Sequence, residues 1–384
     1  MYHRVWDPVS ALKRKSVLLL GPRQTGKSTL LRQRLPGAAY INLLDGKTYR
    51  QLEANPERLY DMLHRTPSRV AIVDEIQRIP ELTNEVQRLL FDRPEVRCML
   101  TGSSARKLKK HGVNLLGGRL NRQLLCPITA EELTLSPGVK QDYRSLIAFG
   151  GLPNVLTSDH KAQELDDYVE TYLKEEIQQE AQVRKLSQFT RFLQLAALSV
   201  GQQIIFSNVG NDAQVPATTV RDYFQLLEDT LVGHLLPCFS ETKKRKAFAA
   251  PKFYFFDVGV ANALRGTVGV EPGDSDYGIA FEQFVFCELL AWKAYYQPRA
   301  QLYYWRSLSQ FEVDFLIRLP NRWIGIEVKS SSNVSAKHLK GLHALADDLP
   351  DLTKAVICEE RHARTLGDIS VVPAERLPQW LAKL

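Results

Sequence analysis

No stretch of this 384-residue chain stays apolar for the roughly 18 residues that a membrane-spanning helix needs, which argues against a helical membrane protein. The segment Met1-Tyr2-His3-Arg4-Val5-Trp6 lacks the apolar centre of a secretory leader. Cysteine is sparse: Cys98, Cys126, Cys238, Cys287 and Cys358 are scattered, and no C-x-x-C pair exists. That argues against a disulfide framework and a zinc ribbon, and the five read as reduced core residues of a cytoplasmic protein. Neither sign of charge dominates. The net charge of +7 suits a polyanionic partner without requiring one. Hydrophobic content of 44% and charged content of 24% are ordinary for a globular chain, and 384 residues exceed one core, so two to four domains are expected.

What is present begins with Gly21-Pro22-Arg23-Gln24-Thr25-Gly26-Lys27-Ser28, which fits the phosphate-loop pattern G-x-x-x-x-G-K-[ST]. The glycines let the backbone curl so that successive N–H groups point at phosphate oxygens. Lys27 brings a point charge to the β- and γ-phosphates, and the Ser28 hydroxyl is a Mg²⁺ ligand. Val17-Leu18-Leu19-Leu20 reads as a buried strand before the loop. Ser28-Thr29-Leu30-Leu31-Arg32 opens a helix after it, whose N-terminus favours anions. The nucleotide-binding set is therefore Gly21 through Thr29.

Such a loop needs a carboxylate for the Mg²⁺ shell at the end of a neighbouring apolar strand. Val70-Ala71-Ile72-Val73-Asp74-Glu75 supplies it, with Asp74 the Mg²⁺-shell ligand and Glu75 the general base on water. A third strand, Arg97-Cys98-Met99-Leu100-Thr101, ends in Gly102-Ser103-Ser104. If it lies between the other two, Ser103 at its tip, or Ser104 beside it, is placed to sense the γ-phosphate; the alternative is a plain Gly-Ser turn. Arg119, after Gly117-Gly118, is the candidate arginine finger, reaching a neighbouring subunit's nucleotide. Leu124-Leu125-Cys126-Pro127-Ile128 reads as the last strand of this α/β domain.

The order of these segments resembles the AAA-type, archaeal-ATPase-like P-loop ATPases of bacteria and archaea. The resemblance implies ATP rather than GTP, and no Asn/Thr-Lys-x-Asp guanine motif opposes it. It also implies a homo-oligomer, a hexamer on this basis alone, and a conserved C-terminal domain of poorly known function.

From Thr129 the pattern turns helical, and Phe149-Gly150-Gly151-Leu152-Pro153 reads as a joint. It resembles the Gly-Gly-Leu/Phe-Pro element that follows the ATPase core in that group. A long amphipathic stretch runs from Leu165 to Leu198. Ile204–Val209 reads as a short helix or strand, Val215–Leu227 as a helix, and Leu231–Phe239 and Lys252–Phe256 as strands flanking Lys243-Lys244-Arg245-Lys246. A helix pair followed by a hairpin with a basic tip describes a winged helix, in which Thr218, Thr219 and Arg221 face a DNA groove. The alternative is that these helices only pack between domains and the basic run is solvated.

The last hundred residues carry a second constellation. Glu282 lies near the start of a helix, Asp314 inside the apolar strand Phe311–Ile317, and Glu327 and Lys329 two apart on the strand Ile324–Ser331. Carboxylates and a lysine facing inward from buried strands are costly unless used. Glu282…Asp314…Glu327-x-Lys329 resembles the PD-(D/E)xK nuclease superfamily, and most of all the C-terminal domain that accompanies the ATPases above. The resemblance implies Mg²⁺ on Asp314 and Glu327, Lys329 orienting water, and Glu282 tuning the metal. An inert scaffold of the same fold is the other reading.

The expected architecture is α/β: a P-loop ATPase with a parallel sheet over 1–128, a helical lid or linker over 129–199, a winged-helix-like domain over 200–265, and an α/β nuclease-like domain over 275–384. The expected function is ATP hydrolysis with Mg²⁺, coupled to DNA binding or processing as a translocase or nuclease. The competing expectation is a nucleotide-switched regulator or protein-remodelling ATPase on an inert nuclease-like scaffold.

Overall fold

The computed structural model describes residues 2–104, 118, 120–173, 186–240, 250–307, 309–349 and 351–384, without the side chains of 172, 173 and 186. The chain divides into two units. One comprises Arg4–Cys126 with Asp229–Leu231, the other Met1–His3, Pro127–Glu228 and Val232–Leu384. No helix among the described residues is long and apolar enough to cross a membrane.

The first unit is built on five parallel strands, β1 (Ser16–Leu20), β2 (Ala39–Asn42), β3 (Val70–Asp74), β4 (Arg97–Gly102) and β5 (Leu120–Leu124), in the order β2-β3-β4-β1-β5. Continuous apolar runs form its centre because both faces are covered. Leu18, Ala71, Val73 and Leu100 enter one core, while Val17, Leu19, Ile72 and Met99 enter another with Leu30 and Leu31. β4 does lie between β1 and β3, which brings the tips of all three together.

The last strand is Leu120–Leu124, not the expected Leu124–Ile128. β5 is an edge strand whose Asn121 and Arg122 are exposed, so it carries no apolar run to mark it. Leu125 still donates its N–H to Leu20 O at 2.8 Å, but its side chain is core, and Pro127 follows without a donor. β2 is a second short edge strand that no sequence pattern announced.

The second unit contains a six-stranded sheet of β8 (Gln301–Arg306), β9 (Glu312–Leu319), β10 (Arg322–Lys329), β11 (Leu352–Cys358), β12 (Arg364–Leu366) and β13 (Ile369–Pro373), ordered β12-β13-β11-β10-β9-β8. β8, β9 and β10 run antiparallel, and β10, β11 and β13 parallel. The helix Tyr277–Tyr295 packs Phe281, Phe284, Val285 and Leu289 into the core that holds Phe315, Ile317, Ile324 and Ile326. The helix Lys340–Asp348 contributes Leu342 and Leu345 to the core that holds Leu316 and Val356.

The same unit holds the helices Phe206–Ala213 and Ala217–Asp229 and an antiparallel hairpin of β6 (Gly233–Leu236) and β7 (Lys252–Phe255). Val220, Phe224 and Leu227 are buried at helical spacing, leaving Thr218 and Arg221 exposed and Thr219 half-buried. The basic run Lys243–Lys246 lies outside the described residues. After β6 the chain continues onto the edge of the large sheet, where Phe239 N–H bonds Tyr304 O at 2.7 Å. Along the amphipathic stretch from Leu165, the helix Lys161–Asp167 passes into a π-helical segment, Tyr168–Leu173, and Leu186–Leu198 is a helix.

The Gly150-Gly151 joint is a close packing device. Gly150 has φ of 75°, and Gly151 donates its N–H to the buried Asp257 at 2.7 Å. A Cβ on Gly259 would lie 2.1 Å from Phe149 O, so both backbones must approach without side chains. Asp257 also caps the helix Val258–Arg265 through Val260 N–H at 3.0 Å.

Candidate functional site

The loop between β1 and the helix Lys27–Arg34 uses its two glycines differently. Gly26 is the N-cap in the left-handed conformation, φ 88°. Gly21 is needed for space, because a Cβ there would lie 2.5 Å from Leu125 O. Thr25 Oγ1 donates to Pro22 O at 3.0 Å and cross-braces the loop. Lys27 is buried, and its Nζ donates to Gly21 O at 2.7 Å and Pro22 O at 2.9 Å. Pro22, Arg23 and Gln24 complete the turn, with Gln24 also at positive φ, and Ser28 and Thr29 lie in the first turn of the helix.

Asp74 ends β3 and is 1% exposed. It accepts hydrogen bonds from Tyr40 Oη and Thr101 Oγ1. Burial and Asp74 together push the Tyr40 phenol up to about 12, so it remains a donor. Glu75 sits at φ 62° and ψ 46°, and its N–H donates to Thr101 Oγ1 at 2.9 Å. A left-handed backbone at a non-glycine residue costs on the order of 1–3 kcal/mol, so this bond sustains an unfavourable turn. Gln77 Nε2 bridges Glu75 Oε2 and Ser103 Oγ, the latter at 2.9 Å, and Ser103 Oγ lies 3.3 Å from the same carboxylate oxygen. Gly102 leaves room for this bridge, since a Cβ there would meet Gln77 Oε1 at 2.8 Å.

The fold thus brings Lys27, Asp74, Glu75 and Ser103 to the C-terminal ends of three adjacent parallel strands. The donor set fits a Mg²⁺-nucleotide: a left-handed loop at a helix N-terminus, an ammonium, a hydroxyl and a carboxylate. Arg119 lies outside the described residues. Sequence reasoning missed Tyr40, Thr101 and Gln77 as partners of the two acids. Tyr40 stands on an unannounced edge strand, and the register of parallel pairing, invisible in one sequence, sets Thr101 and Ser103 beside Asp74 and Glu75.

The second unit gathers its own charged cluster. Glu282 comes from the helix Tyr277–Tyr295, Glu312 and Asp314 from β9, Glu327 and Lys329 from β10. The expected residues therefore do meet: Lys329 Nζ lies 2.6 Å from Glu327 Oε1 and 3.8 Å from Asp314 Oδ2. Val328 N–H also donates to Asp314 Oδ2 at 2.8 Å. Lys252 of β7 enters the same cluster, with Nζ 2.7 Å from Glu312 Oε1, 3.4 Å from Glu282 Oε1 and 3.7 Å from Asp314 Oδ1. Two residues along, Tyr254 Oη donates to Glu282 Oε1 at 2.6 Å. Burial and then Asp314 push the Glu327 carboxyl up, against the pull of Lys329, and its Oε2 is buried with no hydrogen-bond partner. Burial and Asp314 raise Glu282 as well. Burial favours the neutral amine at Lys252, yet Glu282, Asp314 and Glu312 overcome it and hold the ammonium form. Among the described residues no group of three or more His, Cys, Asp or Glu side chains is arranged to hold a metal ion. Lys252 gave no sequence signal, since it lies on a different strand pair some thirty residues before the nearest carboxylate it meets.

An AAA domain family matches residues 13–134, and two families described as domains of unknown function, DUF8612 and DUF4143, match residues 140–271 and 277–377. The uncharacterized proteins Rv2008c of Mycobacterium tuberculosis and Mb2031c of Mycobacterium bovis are each 30% identical to the chain over 379 residues, covering 94% of it and 80% of the relative. The chain belongs to the family of these two proteins. It carries an AAA-type P-loop ATPase domain followed by a C-terminal domain. Among solved structures, a STAND protein with a tetratricopeptide repeat sensor, PH0952 from Pyrococcus horikoshii, pairs with 72% of the chain and 43% of its own at 14% identity, with a TM-score of 0.27. That score is too low to argue from.

Proposed function

We propose that the chain is a Mg²⁺-dependent ATPase whose nucleotide state governs a DNA-binding second unit. The convergence of Lys27, Asp74, Glu75 and Ser103 on one end of the parallel sheet carries this reading. In it, the backbone of Gly21 through Thr29 cradles the phosphates and Lys27 pairs with the β- and γ-phosphates. Ser28 and Asp74 hold the Mg²⁺ that neutralises phosphate charge. Glu75 takes a proton from the attacking water, and Gln77 and Ser103 hold its carboxylate in place. Arg119 completes the site of a neighbouring subunit in a homo-oligomer, a hexamer by resemblance. The exposed Thr218 and Arg221, the basic run Lys243–Lys246 and the net charge of +7 support a DNA partner in the cytoplasm.

The C-terminal half reads in two ways. Glu282, Asp314, Glu327 and Lys329 meeting on one helix and two antiparallel strands supports the nuclease-like reading, with Mg²⁺ on Asp314 and Glu327. The intrusion of Lys252 favours the other, a switch that binds DNA or protein on an inert scaffold. ATP turnover with and without duplex DNA tests the proposal: the parental protein is expected to hydrolyse ATP faster with DNA. Lys27→Ala is expected to lose nucleotide binding, by roughly 10²-fold or more, because two or more charge-assisted hydrogen bonds go. Parental ATP affinity in Lys27→Ala removes the ATPase reading, and turnover indifferent to DNA favours a protein-remodelling role.

A further inference from the structure

Among the described residues of the second unit, four carboxylates, those of Glu282, Glu312, Asp314 and Glu327, meet three cations. Lys329 pairs with Glu327 on the same strand. Arg306 Nη1 reaches Glu312 Oε2 at 3.8 Å from the neighbouring strand. Among the described residues Lys252 alone touches three of the acids, and it is 3% exposed. It arrives on β7, which belongs to the hairpin and not to the sheet that carries Glu312, Asp314 and Glu327. Tyr254, on the same face of β7 by the two-residue period, bonds Glu282 too.

We infer that Lys252 is the resident cation of this acidic cluster, its ammonium taking the place of a divalent ion between Glu282, Glu312 and Asp314. The distances are those of an ammonium: the nearest oxygen is 2.7 Å away, against the roughly 2.0–2.1 Å of a Mg²⁺ ligand. A divalent ion bound to Asp314 Oδ1 or Glu282 Oε1 has the Lys252 charge beside it, because that ammonium already lies 3.7 and 3.4 Å from those oxygens, and like charges repel. The charge count agrees, because among the described residues three cations already oppose the four carboxylates. Removal of Lys252 leaves acids from one helix and one strand without their counter-charge. Such a cluster must then take up protons or another cation. The lysine also staples the hairpin to the sheet. The inference concerns the second unit only, so it stands or falls independently of the ATPase reading.

Mn²⁺ titration followed by electron paramagnetic resonance, on the full-length protein without nucleotide, tests it. The parental chain and Asp314→Asn are expected to titrate alike. Lys252→Met is expected to gain one Mn²⁺ equivalent, bound at least 10-fold tighter than any in the parent and lost again when Asp314→Asn is added. Lys252→Arg, which keeps a cation in place, is expected to behave as the parent. A Mn²⁺ ion in the parental chain that Asp314→Asn removes overturns the inference and restores the metal-dependent reading. So does a folded Lys252→Met that gains no ion. If Lys252→Met fails to fold, the comparison of parent with Asp314→Asn decides alone.

Discussion

Replacing Glu75 by glutamine separates catalysis from binding at the nucleotide site. The carboxylate Oε2 faces Gln77 Nε2 and Ser103 Oγ, and the backbone is fixed by the bond from Glu75 N–H to Thr101. Glutamine has the same length and offers an oxygen to the same two partners, so the turn at φ 62° and the loop beside it are retained. What disappears is the base. General-base assistance is worth about 10²–10⁴ in rate, or roughly 3–5 kcal/mol of barrier. Glu75→Gln is therefore expected to bind ATP like the parent and to release phosphate at least about 100-fold more slowly. Single-turnover phosphate release at saturating ATP and Mg²⁺, paired with a fluorescent-nucleotide titration, measures both. Gln77→Ala gives an internal scale: it removes one neutral-to-charged bond to the base, worth roughly 1.5–3 kcal/mol, so a fall of about 10–100-fold is the ceiling if that bond only positions Glu75. Parental turnover in Glu75→Gln refutes the assignment of the base. A loss of ATP affinity equal to the loss of rate shows that Glu75 holds the nucleotide instead.

A buried acid in the second unit makes stability depend on pH. Burial raises Glu288 to about 8, the bond from Ala130 N–H opposing and Glu132 and Glu131 adding to the rise. Its folded value lies above its unfolded one, so the folded chain keeps the proton, and stability falls as pH climbs from about 4.5 through 8. Glu288→Gln keeps the acceptor for Ala130 and is expected to match the parent near pH 5 yet exceed it by up to a few kcal/mol at pH 8.5; equal denaturation midpoints at both values refute this. For the arginine finger, inactive Arg119→Ala and Glu75→Gln proteins are expected to regain part of the parental turnover when mixed, because one interface then holds an intact set. No recovery, with a rate independent of protein concentration, makes Arg119 a residue of its own subunit or of no site.

The nucleotide site was legible because its signals are local. A loop whose backbone must curl around phosphate needs glycine at set positions, and a strand covered on both faces needs an unbroken apolar run, so Gly21 to Ser28 and Val70 to Glu75 can be read without a fold. The inserted position of β4, and with it the place of Ser103 beside Glu75, was decided by strand order and register, which the runs do not carry. Edge strands escaped, since water on one side lets polar residues into Leu120–Leu124 and shortens Ala39–Asn42. The C-terminal acids were legible as costly charges inside apolar strands. Their counter-ion was not: Lys252 stands on a separate two-stranded hairpin, and only packing of that hairpin against the sheet brings its ammonium to Glu312. Sequence alone determined which groups are charged and which backbone turns are possible. The tertiary structure decided which charges face each other, because in a buried cluster the partner is set by the pairing of distant strands and not by spacing along the chain.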